Sequence, residues 1–516
     1  MNVNILWADD EIDLLKPHIL FLTNKGYTVD KVTNGTDALE QVKIKKYDVI
    51  FLDENMPGIS GIETLSQIKS MQPDVPVIMI TKSEEEHIME DAIGNQIADY
   101  LIKPVNSSQI LLSLKRILDG KQLVTEKTAQ NYQQEFRQLS MEMMDVNDFE
   151  GWVQMYRKLV YWELELAKSG ETGMDEILAM QKRDANNGWT KFVKDNFVNF
   201  VKKPDAKTPL MSHTVLNKHL PAYLKDDVPT FLLLIDNLRY DQWKVVQNQL
   251  ADYFNIVLDD VYMTILPTTT HYARNSLFAG MMPSEIEKIY PNLWVNEEDD
   301  EGKNVHEEDL IGRHLQRLGF KENFSYTKIT NLGAGKNLVE QIPNLFHNAF
   351  NVIVYNFVDM LSHARTEMNV MKELAEDEAA YRSITASWFE HSPLLEAIKK
   401  IASKKARIIL TTDHGSIRVN NPVKIVGDRS TSTNLRYKQG RNLNYNEKEL
   451  FAIRNPADIF LPKQNVSTSY VFATGEDFMA YPNNYNYHVN MYTNSFQHGG
   501  ISLEEMIVPF VVLETK

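Results

Sequence analysis

The chain has 516 residues, too many for one core, and its 43% hydrophobic and 24% charged content is ordinary for globular protein, so about three domains are expected. A net charge of −16 argues against binding long nucleic acid, and zero cysteines exclude disulfides and thiolate metal sites. No apolar run reaches the length of a membrane span and MNVNILWADDE lacks a signal-peptide pattern, so no membrane partner and a cytoplasmic location are expected.

Residues 1–120 alternate apolar strands with amphipathic helical patterns, which predicts a doubly wound parallel sheet with right-handed crossovers. VNILWADD runs into acids, KYDVIFLDENMPG ends in an acid and a turn, VPVIMITKS ends in a hydroxyl, and ADYLIKP ends in Lys–Pro. Asp9, Asp10, Asp53, Thr81 and Lys103 therefore all fall at carboxyl ends of strands, where open α/β sheets gather their ligands. Clustered carboxylates beside one lysine suit magnesium, and an Asp among them can take a phosphoryl group because cations neutralise its growing charge. Taken singly, each residue fits a solvated loop end; five in order do not.

This segment resembles a response-regulator receiver domain over its whole length. The resemblance rests on the pair Asp9–Asp10, LDENMPG around Asp53, Thr81 after its strand, and Lys103 before Pro104. It implies that Asp53 is the phosphoacceptor and that Asp10, Asp53 and the carbonyl of Asn55 hold magnesium. It also implies that Thr81 and Lys103 read the phosphoryl oxygens, that Tyr100 is the aromatic switch, and that a sensor histidine kinase is the partner.

Residues 121–205 carry few strand signals. Tyr132, Phe136, Leu139 and Met143 recur at helical spacing, as do Trp152, Tyr156 and Leu159, with Asp148 placed to cap the second run. An all-α bundle serving as a linker is expected, with a helix break near Asn186–Gly188, and KKPDAKTP reads as the connection to the C-terminal domain.

Residues 206–516 carry the second constellation. FLLLID ends at Asp236, VIVYNFVDMLSH holds Asp359 and His363, IILTTDHG holds Asp413 and His414, and QHGG holds His498. Hard and borderline ligands from several strand ends predict a two-metal hydrolase site. Between Asp236 and Asp359 an apolar strand runs to Pro267, and Thr268–Thr270 lead into a helical pattern carrying Ala273, Leu277 and Phe278. A hydroxyl at that turn is placed for nucleophilic attack. The acidic stretch 296–309 reads as a solvated loop, and the basic loop 427–442 as one that folds over the site or stays in solvent.

The set resembles the alkaline phosphatase superfamily, nearest to nucleotide phosphodiesterases and PglZ-type domains. The resemblance implies two zinc ions, one held by Asp236, Thr270, Asp413 and His414, the other by Asp359, His363 and His498, with Thr270 as nucleophile. Where those phosphodiesterases place a phosphate-contacting Asn, this chain has Ala273, so Arg274 or Asn275 is expected to take over, with Arg436, Lys438 and Arg441 as further substrate contacts. The order of parts resembles response regulators tied to type IX secretion. Two classes of function follow. One is a phosphodiesterase acting on small linear or cyclic oligonucleotides, switched by a phosphorylation-dependent homodimer. The other is an adaptor with a structural zinc site that docks onto a kinase, a sigma factor or secretion machinery.

Overall fold

The computed structural model describes residues 3–82, 97–118, 120–170, 173–225, 228–297, 299, 302–427 and 431–516. The fold is α/β, and the chain divides into two compact units, residues 1–131 with 169–171, and residues 132–168 with 172–516.

The first unit is built on five strands, β1 (Asn4–Ala8), β2 (Thr28–Val32), β3 (Val49–Asp53), β4 (Val77–Thr81) and β5 (Asp99–Ile102), in the order β2-β1-β3-β4-β5. Every pairing is parallel, so all carboxyl ends share one edge. The three central strands each carry four consecutive apolar residues, and their two faces feed two cores, Leu6, Ile50 and Leu52 on one side and Ile5, Phe51 and Ile78 on the other. Strand β2, TVDKV, was not among the predicted strands: it lies at the sheet edge, exposed or half-buried, and needs no apolar run.

The second unit contains a six-stranded sheet: β6 (Thr230–Ile235), β7 (Phe254–Met263), β8 (Phe324–Ile329), β9 (Phe350–Tyr355), β10 (Arg407–Thr411) and β11 (Ile507–Thr515), in the order β7-β11-β10-β6-β9-β8. Strands β10, β6, β9 and β8 are mutually parallel, while β11 runs antiparallel to both of its neighbours. The carboxyl ends of β6, β7, β9 and β10 therefore meet the start of β11 at one edge. Asp236 and Asp413 leave β6 and β10 there, Asp359 and His363 open the helix Phe357–Glu367 after β9, Thr270 follows β7, and His498 precedes β11. Strand β7 stops at Met263, four residues before Pro267, and a π-helical turn Thr270–Arg274 leads into the helix Asn275–Ala279.

The helical segment holds helices Gly120–Asp145, Phe149–Ser169 and Asp175–Lys202. Asp148 accepts the backbone N–H of Gly151 at 2.9 Å and caps the second helix. The third runs unbroken through the predicted break. Gly188 is there for packing: a Cβ would meet the ring of Trp152 at 2.5 Å. Tyr132, Leu139, Trp152, Tyr156 and Leu159 are buried in the same apolar core as β6 to β11.

Candidate active site and phosphoacceptor site

In the first unit the parallel sheet delivers its strand-end residues to one place. Lys103 Nζ lies 2.9 Å from Asp9 Oδ2 and 3.0 Å from Asp53 Oδ2. Asp9, Asp10 and Asp53 offer oxygens within 4.8 Å of one another, Asp10 being the exposed member. Asp53 Oδ1 is buried without a hydrogen-bond partner, an orphan that a cation would satisfy. Burial, aided by the charges of Asp9 and Asp10, pushes Asp53 up to about 6 against the pull of Lys103. The Thr81 hydroxyl donates to Glu54 at 2.8 Å, a partner the motif did not single out. Asn55 is exposed in the turn after Asp53, and Tyr100 is 41% exposed on β5.

In the second unit two ligand sets form side by side. Asp236, Asp413 and His414 make one group and Asp359, His363 and His498 the other, each with its donor atoms within 4.8 Å of one another. The rings of His414 and His498 stack at 4.2 Å and join the sets. His414 Nδ1 lies 3.0 Å from the carbonyl of Gly415, and His498 Nδ1 lies 3.3 Å from the carbonyl of Thr268. A carbonyl accepts only from N–H, so in both rings Nδ1 carries a proton. His414 turns an Nε2 lone pair to the site, while His498 Nε2, 3.5 Å from Asp359 Oδ1, donates to that carboxylate and would give up this proton to ligate a cation. Burial, with His498 next to it, lowers His414 to about 3, which keeps it neutral and able to ligate. Burial opposes ionisation of Asp359, yet the hydrogen bond and charge of His498 hold it below the usual carboxylate range. Asp236 Oδ1 is buried without a hydrogen-bond partner. The donor chemistry and this orphan oxygen fit two divalent cations.

The three threonines after Pro267 have separate tasks. Thr268 accepts the N–H of Gly499 at 2.9 Å and donates to the carbonyl of Gly500 at 3.0 Å, tying the turn to the His498 loop. Thr269 is buried, with no hydrogen-bond partner at its Oγ1. Thr270 is the half-buried one, its Oγ1 3.2 Å from His414 Nε2. It lines a cavity of about 440 Å³ together with His363 and His498.

The expected phosphate contacts lie elsewhere. Arg274 is fully buried behind the first ligand set: it pairs with Asp236, with Asp413 at 2.9 Å and with Glu307 at 3.3 Å. Asn275 is buried and donates to the carbonyl of Lys303 at 3.2 Å. Arg436 is paired with Glu505 at 2.5 Å, and Lys438, which burial lowers to about 7, donates to the carbonyl of Ser432 at 2.8 Å. Arg441 is exposed, and none of these five lines the cavity. A cation with no acid beside it would bear its full desolvation cost in these buried places, so Arg274 and Arg436 are drawn to carboxylates.

Other residues do line the cavity. Loop 427–442 reaches it through Thr433, Asn434 and Tyr437 rather than through Arg436, Lys438 or Arg441, residues 428–430 lying outside the described set. The acidic stretch is not simply solvated. Glu297 and Lys303 reach the cavity, Glu297 accepts from Tyr437 at 3.0 Å, and Glu307 is buried against Arg274. His271 also lines it, 3.2 Å from Glu297 and stacked on Trp294 at 4.8 Å. Asn304, a further lining residue, donates to the Thr270 carbonyl at 3.0 Å and to Asn275 Oδ1 at 3.2 Å. No spacing rule marks these residues; only the approach of distant loops does.

The model of the BREX system PglZ alkaline phosphatase-like domain matches residues 215–513. The chain belongs to the PglZ alkaline phosphatase-like family. Residues 5–115 match the response regulator receiver domain and residues 122–201 the PorX response regulator linker domain, so the architecture is PorX-like: receiver, helical linker and PglZ effector. Among curated proteins, the transcriptional regulatory protein ZraR of Klebsiella oxytoca is 34% identical over 135 residues, 25% of this chain and 30% of that protein. The transcriptional regulatory protein ResD of Bacillus subtilis is 32% identical over 117 residues, 23% of this chain and 48% of that protein. The chain thus spans less than half the length of either relative. The solved chemotaxis protein CheY4 of Vibrio cholerae is 27% identical, covering 23% of this chain and 100% of that one, with a TM-score of 0.22. The chain thus joins a response regulator receiver domain to an effector domain of the PglZ alkaline phosphatase-like family. Among the described residues, no helix is long and apolar enough to cross a membrane.

Proposed function

We propose that this response regulator is phosphorylated on Asp53 in the cytoplasm and that its PglZ domain is a zinc-dependent phosphodiesterase for small linear or cyclic oligonucleotides, acting in the regulation of type IX secretion. The carrying observation is the half-buried Thr270 hydroxyl, 3.2 Å from His414 of one ligand set and lining a cavity with His363 and His498 of the other. Asp236, Asp413, His414 and Thr270 would hold one zinc ion, and Asp359, His363 and His498 the other. Bound there, the ions supply Lewis acidity that lowers hydroxyl and water pKa values and offsets charge on a phosphoryl group. Thr270 presents the attacking oxygen, its backbone held by Asn304. The P–O bond to Thr270 forms as the bond to the leaving alkoxide breaks, and water then cleaves the phospho-threonine. Asn434 and Tyr437 face the same cavity and are placed to orient the substrate. In the receiver, Asp10, Asp53 and the Asn55 carbonyl would hold magnesium while Lys103, 3.0 Å from Asp53, meets the incoming phosphoryl charge.

The test is metal analysis joined to hydrolysis of bis-p-nitrophenyl phosphate and a short oligonucleotide. Wild type is expected to carry two zinc ions and turn over both substrates. Thr270→Ala is expected to lose at least about 100-fold in kcat, the order expected of a lost catalytic group. A wild type without zinc, or a Thr270→Ala variant of full activity, overturns the reading.

A further inference from the structure

The helix Asp175–Lys202 reaches the ligand loops through one short step of chain, Leu503–Glu505. Asn186 grips this step twice: its Oδ1 accepts the N–H of Leu503 at 2.8 Å and its Nδ2 donates to Glu504 Oε2 at 3.1 Å. Lys182, one turn earlier, lies 3.7 Å from Glu504 and 2.9 Å from Glu163. All of these groups are inside the second unit, and Asn186 and Glu504 are only 4% and 5% exposed.

The next residue, Glu505, is fully buried and touches all three loops that carry His498, Thr270 and the Asp413–His414 pair. Its Oε1 accepts the N–H of Gly500 at 2.9 Å, two residues from His498, and lies 3.4 Å from the Thr268 hydroxyl, two residues from Thr270. Its backbone carbonyl accepts the N–H of Gly415 at 3.2 Å, next to His414. The fit at Gly415 is tight: a Cβ there would fall 2.0 Å from the carbonyl oxygen of Glu504. Arg436 and Ser502 fix the Glu505 carboxylate, at 2.5 Å and 2.7 Å from Oε2. A carboxylate held so firmly cannot shift without moving the loops bonded to it.

Resting on the metallohydrolase reading, we infer that Asn186 is a positioning residue of the metal centre: it sets the Leu503–Glu505 step, and Glu505 sets the mutual placement of the nucleophile turn and the His414 and His498 loops. The linker helix thereby has a mechanical hold on the geometry of the site, though it contributes nothing to the cavity wall. The ligands themselves are untouched by a change at Asn186, so the consequence falls on metal geometry and affinity.

The test uses the full chain, stripped with chelator and titrated with zinc against a competing dye, and loaded with cobalt(II) for its visible spectrum. Asn186→Ala is expected to bind zinc about 10-fold more weakly, the size seen for lost outer-shell partners, and to shift the cobalt bands. Labelling of Asp53 by a small phosphodonor is expected to stay as in wild type. Asn196→Ala, on the same helix with its amide bonded to the Phe192 carbonyl, is expected to match wild type in both metal readouts. If Asn186→Ala does not fold, Lys182→Met decides, with a smaller loss in the same direction. Unchanged affinity and spectrum in the folded variant overturn the inference, as does an equal loss in Asn196→Ala. A wild type that takes up neither ion is a different result: it overturns the metallohydrolase reading itself and this inference with it.

Discussion

Arg274 shows how much one side chain decides. It sits where a substrate contact was expected, yet its guanidinium is bonded to Asp236, Asp413 and Glu307 and none of it reaches the surface. Two neighbouring acids that must also face a cation repel each other, and Arg274 offsets that repulsion from behind. Arg274→Met is expected to destabilise the metal-free chain by about 3–5 kcal/mol, the cost of leaving buried acids unpaired, measured by urea unfolding, with added zinc recovering part of the loss. Asp53 gives a pH-dependent counterpart. Its folded pKa is raised to about 6 from the ordinary carboxylate value of 3.8, so the folded state holds the proton more tightly than the unfolded one. The associated stability is present below about pH 4 and is lost as pH rises through 6. Without magnesium, Asp53→Asn is therefore expected to melt higher than wild type at pH 8, with the gap closing by pH 4, and magnesium is expected to narrow it at pH 8. A scanning-calorimetry series across that range, in chelator and in magnesium, checks both statements.

At the scale of elements, apolar run length told truly for central strands and for the edge strand β5, and failed at the edge strands β2 and β8. β6, TFLLLI, and β9, FNVIVY, are buried throughout and stand out as continuous runs. β2, TVDKV, pairs only with β1 and has no such run. Gly188 reads as a break in the sequence because composition cannot separate a residue chosen for backbone freedom from one chosen for closeness. Gly188→Leu is expected to keep the helix but lose about 1–3 kcal/mol by overpacking against Trp152, while Gly188→Ala should lose less. Circular dichroism and urea midpoints of the two variants check this, because if Gly188 served as a helix break both substitutions would raise helicity and stability instead.

For the whole molecule, the proposed switch is a homodimer formed when Asp53 is phosphorylated. The face invoked, residues 85–118, falls partly on residues 83–96, which lie outside the described residues. The proposal rests on the receiver match over residues 5–115 and on a linker match that comes directly after it at 122–201. Light scattering over a range of concentrations, with and without a phosphoryl mimic, is expected to show the mass double only with the mimic. The shift can be no larger than the mimic's preference for one state over the other. An unchanged mass would leave the receiver uncoupled from association.

The sequence by itself determined which residues stand at strand ends: Asp9, Asp53, Thr81 and Lys103 in one sheet, and Asp236, Asp413 and the Asp359–His363 pair in the other. Strand direction and period are local properties, and a parallel sheet turns them into a shared edge. It also determined that any metal here is held without sulfur from cysteine, since the chain has none. Only the tertiary structure decided which of three threonines faces His414, which cations are bound up with neighbouring acids, and which distant loops wall the cavity. Those outcomes depend on pairings between residues far apart in the chain, such as Thr270 with His414 and Asn186 with Glu504. Such pairings are set by desolvation and packing across the whole unit, and no local spacing encodes them.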